Sequence, residues 1–593
     1  MGEFLEDLRN SFDIAEVPFS YPGSRILIHQ YPGKSCLYVK LAERLISIFP
    51  GLESYLVRPP FISDFGLLDT DGQLLPFQVS TWPHLIEMNT SVGKFTISFE
   101  NEDTFYINLP PDKTCGIQFN IPAKQWEKLQ NGGMVSSYRN LHYATNAEIL
   151  ENNISVKDEF GVVKFLVDAR RDSAIRFNID ESHPIDRPLE NAAIIIQSAE
   201  TEWNRWFDRI PKVKDIYREK YAYAWWALVN NLISARGNIS FEMAVPSKKG
   251  YIGAWLWDSA LHAIAFRHID PGLARNQIRG MLAHQMPDGM LPDAIFDDGI
   301  VTEIDHPFQG RVTKPPILAW AAMKIHEKAP DVDFIKEIYP PLVKWNRWWF
   351  EQNDDDHDGL VQYNHPYSSG MDDHPAWDFG FPVDSPDINT YLCLQMQSLA
   401  QMACLLKMDA EADEWKRRSD NLLNLMIIKL WDEKSASFKI FKDKTPLPTN
   451  SIVGLLPLWI GGLPAGMNKK IIEHLLNSGE FGGKFVLPVV ARNDRNFNPD
   501  KMWRGPVWAN INYFMIEALK RIAEPELAVQ LRDKTLELIM SNAGIYEYYN
   551  AVTGKPGQAA MPVFSWTAAV FIDLAIQASE ESKKGAANAY EKR

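Results

Sequence analysis

The hydrophobic period of this chain changes from 2 to 3.6 near Gln197, and that change limits the fold more than any other feature of the sequence. Before it, segments such as Phe95-Thr96-Ile97-Ser98-Phe99, Phe105-Tyr106-Ile107-Asn108-Leu109, Gly116-Ile117-Gln118-Phe119-Asn120 and Val162-Val163-Lys164-Phe165-Leu166-Val167 alternate. They favour β-branched and aromatic residues and are bounded by Gly, Pro, Asn and Asp. Half-buried strands read this way, so residues 1–196 are expected to form an antiparallel β-sandwich domain. The run Ala199-Glu200-Thr201-Glu202-Trp203-Asn204-Arg205-Trp206-Phe207 is helical in pattern and Pro211 ends it, which predicts a linker helix over 197–214. Residues 215–593 then hold about twelve apolar helical stretches, among them Trp257 to Ile269, Asn450 to Ile460 and Pro506 to Ile522. Six pairs of helices fit a toroid with an inner ring buried on nearly every side and its long loops at one mouth. A plain bundle competes, but its loops should be uniformly short. The class expected is α+β multidomain, mainly α in the catalytic part.

At 593 residues the chain is too long for one ordinary core. Its net charge of -15 excludes a broad nucleic-acid surface, which needs a basic stripe. No run of eighteen or more apolar residues predicts a membrane span. The first residues lack the basic and apolar regions of a signal peptide, so the cytoplasm is the expected address. Cys36, Cys115, Cys393 and Cys404 are too few and too scattered for a disulfide framework or a zinc site. Oligomeric state leaves no mark in the sequence.

Unusual residues gather between the helices. Tyr367-Ser368-Ser369-Gly370-Met371-Asp372-Asp373-His374-Pro375-Ala376-Trp377-Asp378-Phe379-Gly380 sets carboxylates among aromatic rings. Apolar rings lower the local dielectric and hold a carboxyl group protonated, as acid-catalysed sugar chemistry requires. Other loops carry Trp255-Leu256-Trp257-Asp258-Ser259, Gln285-Met286-Pro287-Asp288-Gly289-Met290-Leu291-Pro292-Asp293, Thr313-Lys314-Pro315-Pro316, Trp503-Arg504-Gly505-Pro506-Val507-Trp508 and Glu547-Tyr548-Tyr549-Asn550. Singly, some of these fit helix caps: Asp258 and Ser259 at an N-cap, Pro506 in a first turn. A cap does not need an indole. Motifs for a nucleophilic Ser and for a phosphate-binding loop are both missing, whereas paired carboxylates in an aromatic pocket can break a glycosidic bond. Hydrolysis therefore leads. An epimerase or phosphorylase on the same architecture, and a sugar-binding protein with an inactive site, are the rivals.

No cofactor is needed for such chemistry. One turn, Asn353-Asp354-Asp355-Asp356-His357-Asp358-Gly359, alternates Asp354, Asp356 and Asp358 before a Gly, like the start of a Ca²⁺ loop. The twelfth position, counted from Asp354, is His365 and not Glu, and a solvated acidic turn is the alternative.

The array Trp257-Asp258, Gln285 to Pro292, Lys314-Pro315-Pro316, Ser369-Gly370-Met371-Asp372, Trp503 to Trp508, Glu547 to Gly554 and Ser565-Trp566-Thr567 resembles family 63 of the glycoside hydrolases over about residues 215–580. That family includes processing α-glucosidase I, bacterial α-glucosidases and mannosylglycerate hydrolases, with trehalases as relatives. The resemblance implies an (α/α)6 barrel and hydrolysis with inversion, Asp372 acting as general acid and Glu547 as general base about 6.5–9.5 Å apart. Of the adjacent acids Asp372 and Asp373, only one should face the sugar. Trp257, Trp377, Trp503, Trp508 and Trp566 are candidate walls for a carbohydrate substrate, and Asp258, Gln285 and Asp288 candidate holders of hydroxyls. Lys314 and Arg504 would do the same or bind an anionic aglycone. A pocket closed at one end favours exo-action on a terminal α-glucose, with mannosylglycerate, glucosylglycerate or trehalose as alternative substrates.

Overall fold

A computed structural model of the chain describes residues 3–51, 54–157, 159–180 and 188–591. They form two compact units that interleave in sequence: Met1–Ile210 with Val229–Ser234 and Lys248–Ile252, and Pro211–Leu228 with Ala235–Ser247 and Gly253–Arg593.

The first unit holds a 7-stranded and an 8-stranded sheet, both antiparallel. Lys113–Pro122 lies between Ile62–Leu68 and Phe160–Ala169 in one sheet, with Val163 opposite Phe119. Ala174–Asp180 lies between Asn140–Thr145 and Thr104–Asn108 in the other. Rings join the two faces: Phe177 meets Phe119 at 5.7 Å and Phe65 at 5.8 Å between centroids. Each fully buried Phe contributes roughly 2–3 kcal/mol relative to exposure. The period-2 pattern finds Lys113–Pro122, Phe160–Ala169, Ala174–Asp180 and Thr104–Asn108, but not Ile62–Leu68, Asn140–Thr145 or Gln125–Leu129, the last a polar edge strand with no residue fully buried.

The expected linker helix is displaced. The helix runs over Ala192–Asp208, capped by the Asn191 side chain, which accepts from the Ala193 N–H. Ile195, Ala199, Trp203 and Phe207 are buried at helical spacing, and the helix packs on strands Gly93–Asn101 and Thr104–Asn108. Those apolar residues fasten it to the first unit.

The second unit is helical. Leu256–Phe266 is buried along its whole length. The segments Leu256–Phe266, Leu318–Lys328, Pro386–Leu405, Leu456–Ile460, Ala509–Arg521 and Ser565–Glu591 contact one another in that order, and the last returns to the first. Leu456–Ile460 is not the α-helix expected over Asn450 to Ile460 but a 3₁₀ turn, following a shorter one at Ile452–Gly454. Pro457 cannot donate a main-chain hydrogen bond, and Gly461 ends the turn at φ 81°. The expected caps also move: Trp255 and Trp508 occupy the N-cap positions, and Ser259 sits inside its helix, bonded back to the Trp255 carbonyl at 2.8 Å. No described helix is long and apolar enough to cross a membrane.

Candidate active site

The acidic loop opens with the 3₁₀ turn Pro366–Ser369, closed by Gly370 in the left-handed region at φ 71°. A Cβ on Gly370 would stand 2.6 Å from Cζ2 of Trp257, so only glycine lets the loop lie against that indole. His365 caps this turn, its Nδ1 accepting the Tyr367 N–H at 3.3 Å. Two residues beyond Gly370, Asp372 keeps 30 % of its side chain exposed and meets the Lys314 ammonium at 3.3 Å. Asp373 turns elsewhere, accepting the Trp503 main-chain N–H at 2.8 Å. Burial pushes the Asp373 carboxyl upward, opposed by that bond and by Arg504.

The remaining loops close on the same place. Trp257 lies 5.9 Å from Trp503 and 5.2 Å from Trp566 between ring centroids. Trp503 stacks on Trp508 at 3.6 Å and 7°. Tyr548 packs on Trp508 at 4.9 Å, and burial together with Glu547 and Asp373 pushes its phenol to about 12. Val507 and Tyr549 exchange main-chain hydrogen bonds at 2.7 and 2.9 Å, which lays the segment of Glu547 alongside that of Trp508. Glu547 is 3 % exposed, and its Oε2 accepts the Met561 N–H at 3.1 Å. Asn550 takes no part in the cluster: its side-chain oxygen accepts the N–H groups of Val552 and Thr553 and builds the turn ending at Gly554.

Beneath Asp372 lies a buried charge cluster. Lys314, 4 % exposed, places its ammonium 3.0 Å from Asp293 and donates to the Tyr367 carbonyl at 2.7 Å. Burial alone would lower the Lys314 pKa, but Asp293 and Asp372 outweigh it and raise it. Burial raises Asp293 to about 6 and Asp258 to about 8, with Lys314 opposing in both cases. Burial thus favours the neutral form of Asp258 more strongly than that of Asp293. Asp293 had no assigned role in the sequence; its one signal is a carboxylate directly after the Gly289 to Pro292 turn.

The side chains of the other expected site residues are engaged in contacts of their own. Gln285 donates its amide to the carbonyls of Gly289 and Pro341 at 2.9 and 2.8 Å, fastening its own turn. Asp288 is exposed and pairs with Arg311 at 2.7 Å and the Trp348 indole at 3.1 Å. Trp377 donates its indole N–H to the Met371 carbonyl at 2.7 Å and so braces the acidic loop from within. Arg504 forms a fork with Asp378, one arm at 2.8 Å. In the acidic turn, Asp354, Asp356 and Asp358 bring carboxylate oxygens within 4.8 Å of one another. Asp354 there accepts the N–H groups of Asp358 and Gly359, and Lys429 meets Asp358 at 2.6 Å.

Residues 251–567 match the model of the mannosylglycerate hydrolase MGH1-like glycoside hydrolase domain. A mannosylglycerate hydrolase of Thermus thermophilus is 28 % identical over 402 residues, covering 55 % of this chain and 95 % of its own. A crystal structure of the GH63 mannosylglycerate hydrolase from another strain of Thermus thermophilus, in complex with Tris and D-glycerate, is 25 % identical with a TM-score of 0.52, over 60 % of this chain and 99 % of that one. A bacterial glucoamylase complexed with acarbose is alike in fold, with a TM-score of 0.60 at 12 % identity over 96 % of this chain and 94 % of that one.

Proposed function

Because this chain belongs to the mannosylglycerate hydrolase MGH1-like glycoside hydrolases of family 63, enzymes acting on glycosides, we propose that it is an inverting, exo-acting hydrolase that removes a terminal α-glucosyl residue from a small α-glucoside or oligosaccharide. Asp372 protonates the leaving glycosidic oxygen, and Glu547 takes a proton from the water that attacks the anomeric carbon from the opposite face. The observation that carries this reading is the wall of Trp257, Trp503, Trp508 and Trp566, to which the loops of both carboxylates are tied. The cyclic order of contacts among six segments supports an (α/α)6 barrel. Neither proton transfer calls for a cofactor. The cytoplasm is the place of action we assign, where four free thiols would stay reduced.

A neutral leaving group is favoured by the pairing of both candidate cations: Lys314 with Asp293 and Asp372, and Arg504 with Asp378. The second reading, a glycoside of glycerate, draws on the Thermus relative, and Lys501, exposed and acting on Asp373, is the cation it would use. Proton NMR of the first product tests the mechanism, with the β anomer expected from an α-glucoside. The α anomer would exclude inversion. Glu547→Gln should lower turnover by roughly 10²–10⁴-fold, as losing a base does; near-normal turnover would remove Glu547 from the mechanism.

A further inference from the structure

A cation in contact with a general acid poses a difficulty, because it favours the carboxylate over the protonated acid. Lys314 stands 3.3 Å from Asp372 and is buried. Its other carboxylate neighbour, Asp293, is held from both sides of its peptide: its N–H donates to the Val301 carbonyl at 2.8 Å and its carbonyl accepts the Leu256 N–H at 3.1 Å. We propose that Asp293 is a positioning residue for the acid step, anchoring Lys314 against Asp372 while offsetting its charge, so that the ammonium orients Asp372 without standing beside it as an uncompensated cation. This rests on the reading of Asp372 as general acid.

The other titratable groups around Asp372 leave that balance to Asp293. Asp258 acts on the same cluster, but burial raises its carboxyl to about 8, which favours its uncharged form. Burial lowers His365, which feels both Lys314 and Asp372, so it is uncharged at neutral pH. Asp373 faces Trp503, with Arg504 Nε 3.9 Å from its carboxylate and Lys501 also bearing on it. Asp293 is thus the fixed anion that meets the Lys314 ammonium directly.

The test is the pH profile of kcat and kcat/KM for the fastest substrate in a panel of unactivated α-linked disaccharides and glycosyl-glycerates. In Asp293→Asn the alkaline limb, which reports the acid, should move to lower pH by about one unit or more, the usual effect of one neighbouring charge. The acid limb should stay. Asp293→Glu, which keeps the charge, should return the limb towards its native place. Lys314→Met should move the limb the opposite way, and it carries the test if Asp293→Asn does not fold. Uniform loss of activity with both limbs unmoved, or a limb that rises in Asp293→Asn, overturns the proposal. Near-normal turnover in Asp372→Asn would instead overturn the underlying reading.

Discussion

The main-chain N–H of Trp503 donates to Oδ1 of Asp373 at 2.8 Å, so the second of two adjacent acids serves to join two loops while the first faces Lys314. Substitutions should separate these roles. Asp372→Asn is expected to lower turnover by roughly 10²–10⁴-fold with little change in melting temperature. Asp373→Ala should cost about 1–3 kcal/mol, the worth of a hydrogen bond to a charged group, and lower activity less. Steady-state kinetics and thermal melts on both variants decide; a reversed pattern would exchange the two assignments.

Gly370 combines a positive φ of 71° with an indole where a Cβ would go. Gly370→Ala should lose about 1–3 kcal/mol and displace Asp372, lowering kcat. An unchanged melting temperature and kcat would mean that Trp257 yields without consequence.

The pairing of Lys314 and Arg504 sets an expectation for substrate choice. The kcat/KM for a neutral α-linked glucose disaccharide should exceed that for glucosyl- or mannosyl-glycerate. Lys501→Ala should leave the disaccharide rate unchanged. A preference for the glycerates that Lys501→Ala abolishes would establish the second reading instead.

How much of this the sequence carries depends on the kind of signal. Period and apolarity reveal the strands at Lys113–Pro122 and Phe160–Ala169 and the fully buried helix Leu256–Phe266, because one-sided or all-round burial repeats along the chain. The indole loops stand out because no helix cap or turn calls for a Trp, although the structure shows Trp377 and Trp508 bracing their own loops through Met371 and Met502. Apolarity misleads at Leu456–Ile460, where Pro457 turns a buried run into a 3₁₀ turn. Gln285 looks available in the sequence, but Gly289, at φ 108°, folds the turn back so that its carbonyl takes the amide. The Asp293–Lys314–Asp372 contacts join three loops distant in sequence, and no local pattern records which charges will meet.

Asp258 gives stability a pH slope. Burial raises its folded pKa to about 8, above the ordinary 3.8, so the folded state holds a proton that the unfolded chain releases. Stability from this group is complete below about pH 4 and declines as pH rises towards 8. Asp258→Asn should flatten that decline, with a difference from native on the order of a few kcal/mol between pH 4 and 8. Urea unfolding across that range measures it, and parallel curves for the two proteins would contradict the assigned shift.

Asp573 works in the opposite sense. It is fully buried, with Arg267 at 2.8 Å, His268 at 2.7 Å, the Tyr513 hydroxyl at 2.6 Å and the Gln577 amide at 2.6 Å. Burial would raise its pKa, but Arg267, His268 and Tyr513 outweigh it and hold it far below the ordinary carboxylate range. These partners come from the end of Leu256–Phe266 and from Ala509–Arg521, while Asp573 itself lies on Ser565–Glu591, so one carboxylate ties three helices. Asp573→Asn leaves Arg267 buried without its counter-charge and should cost about 3–5 kcal/mol at pH 7. A depressed pKa stabilises above the unfolded value and loses that stabilisation as pH falls, by about 1.4 kcal/mol per unit below roughly pH 4. The gap between native and variant should therefore be widest at neutral pH and narrow by pH 3. Denaturant unfolding at both pH values checks this. A gap that stayed constant would mean that packing, and not the charge of Asp573, holds these helices together.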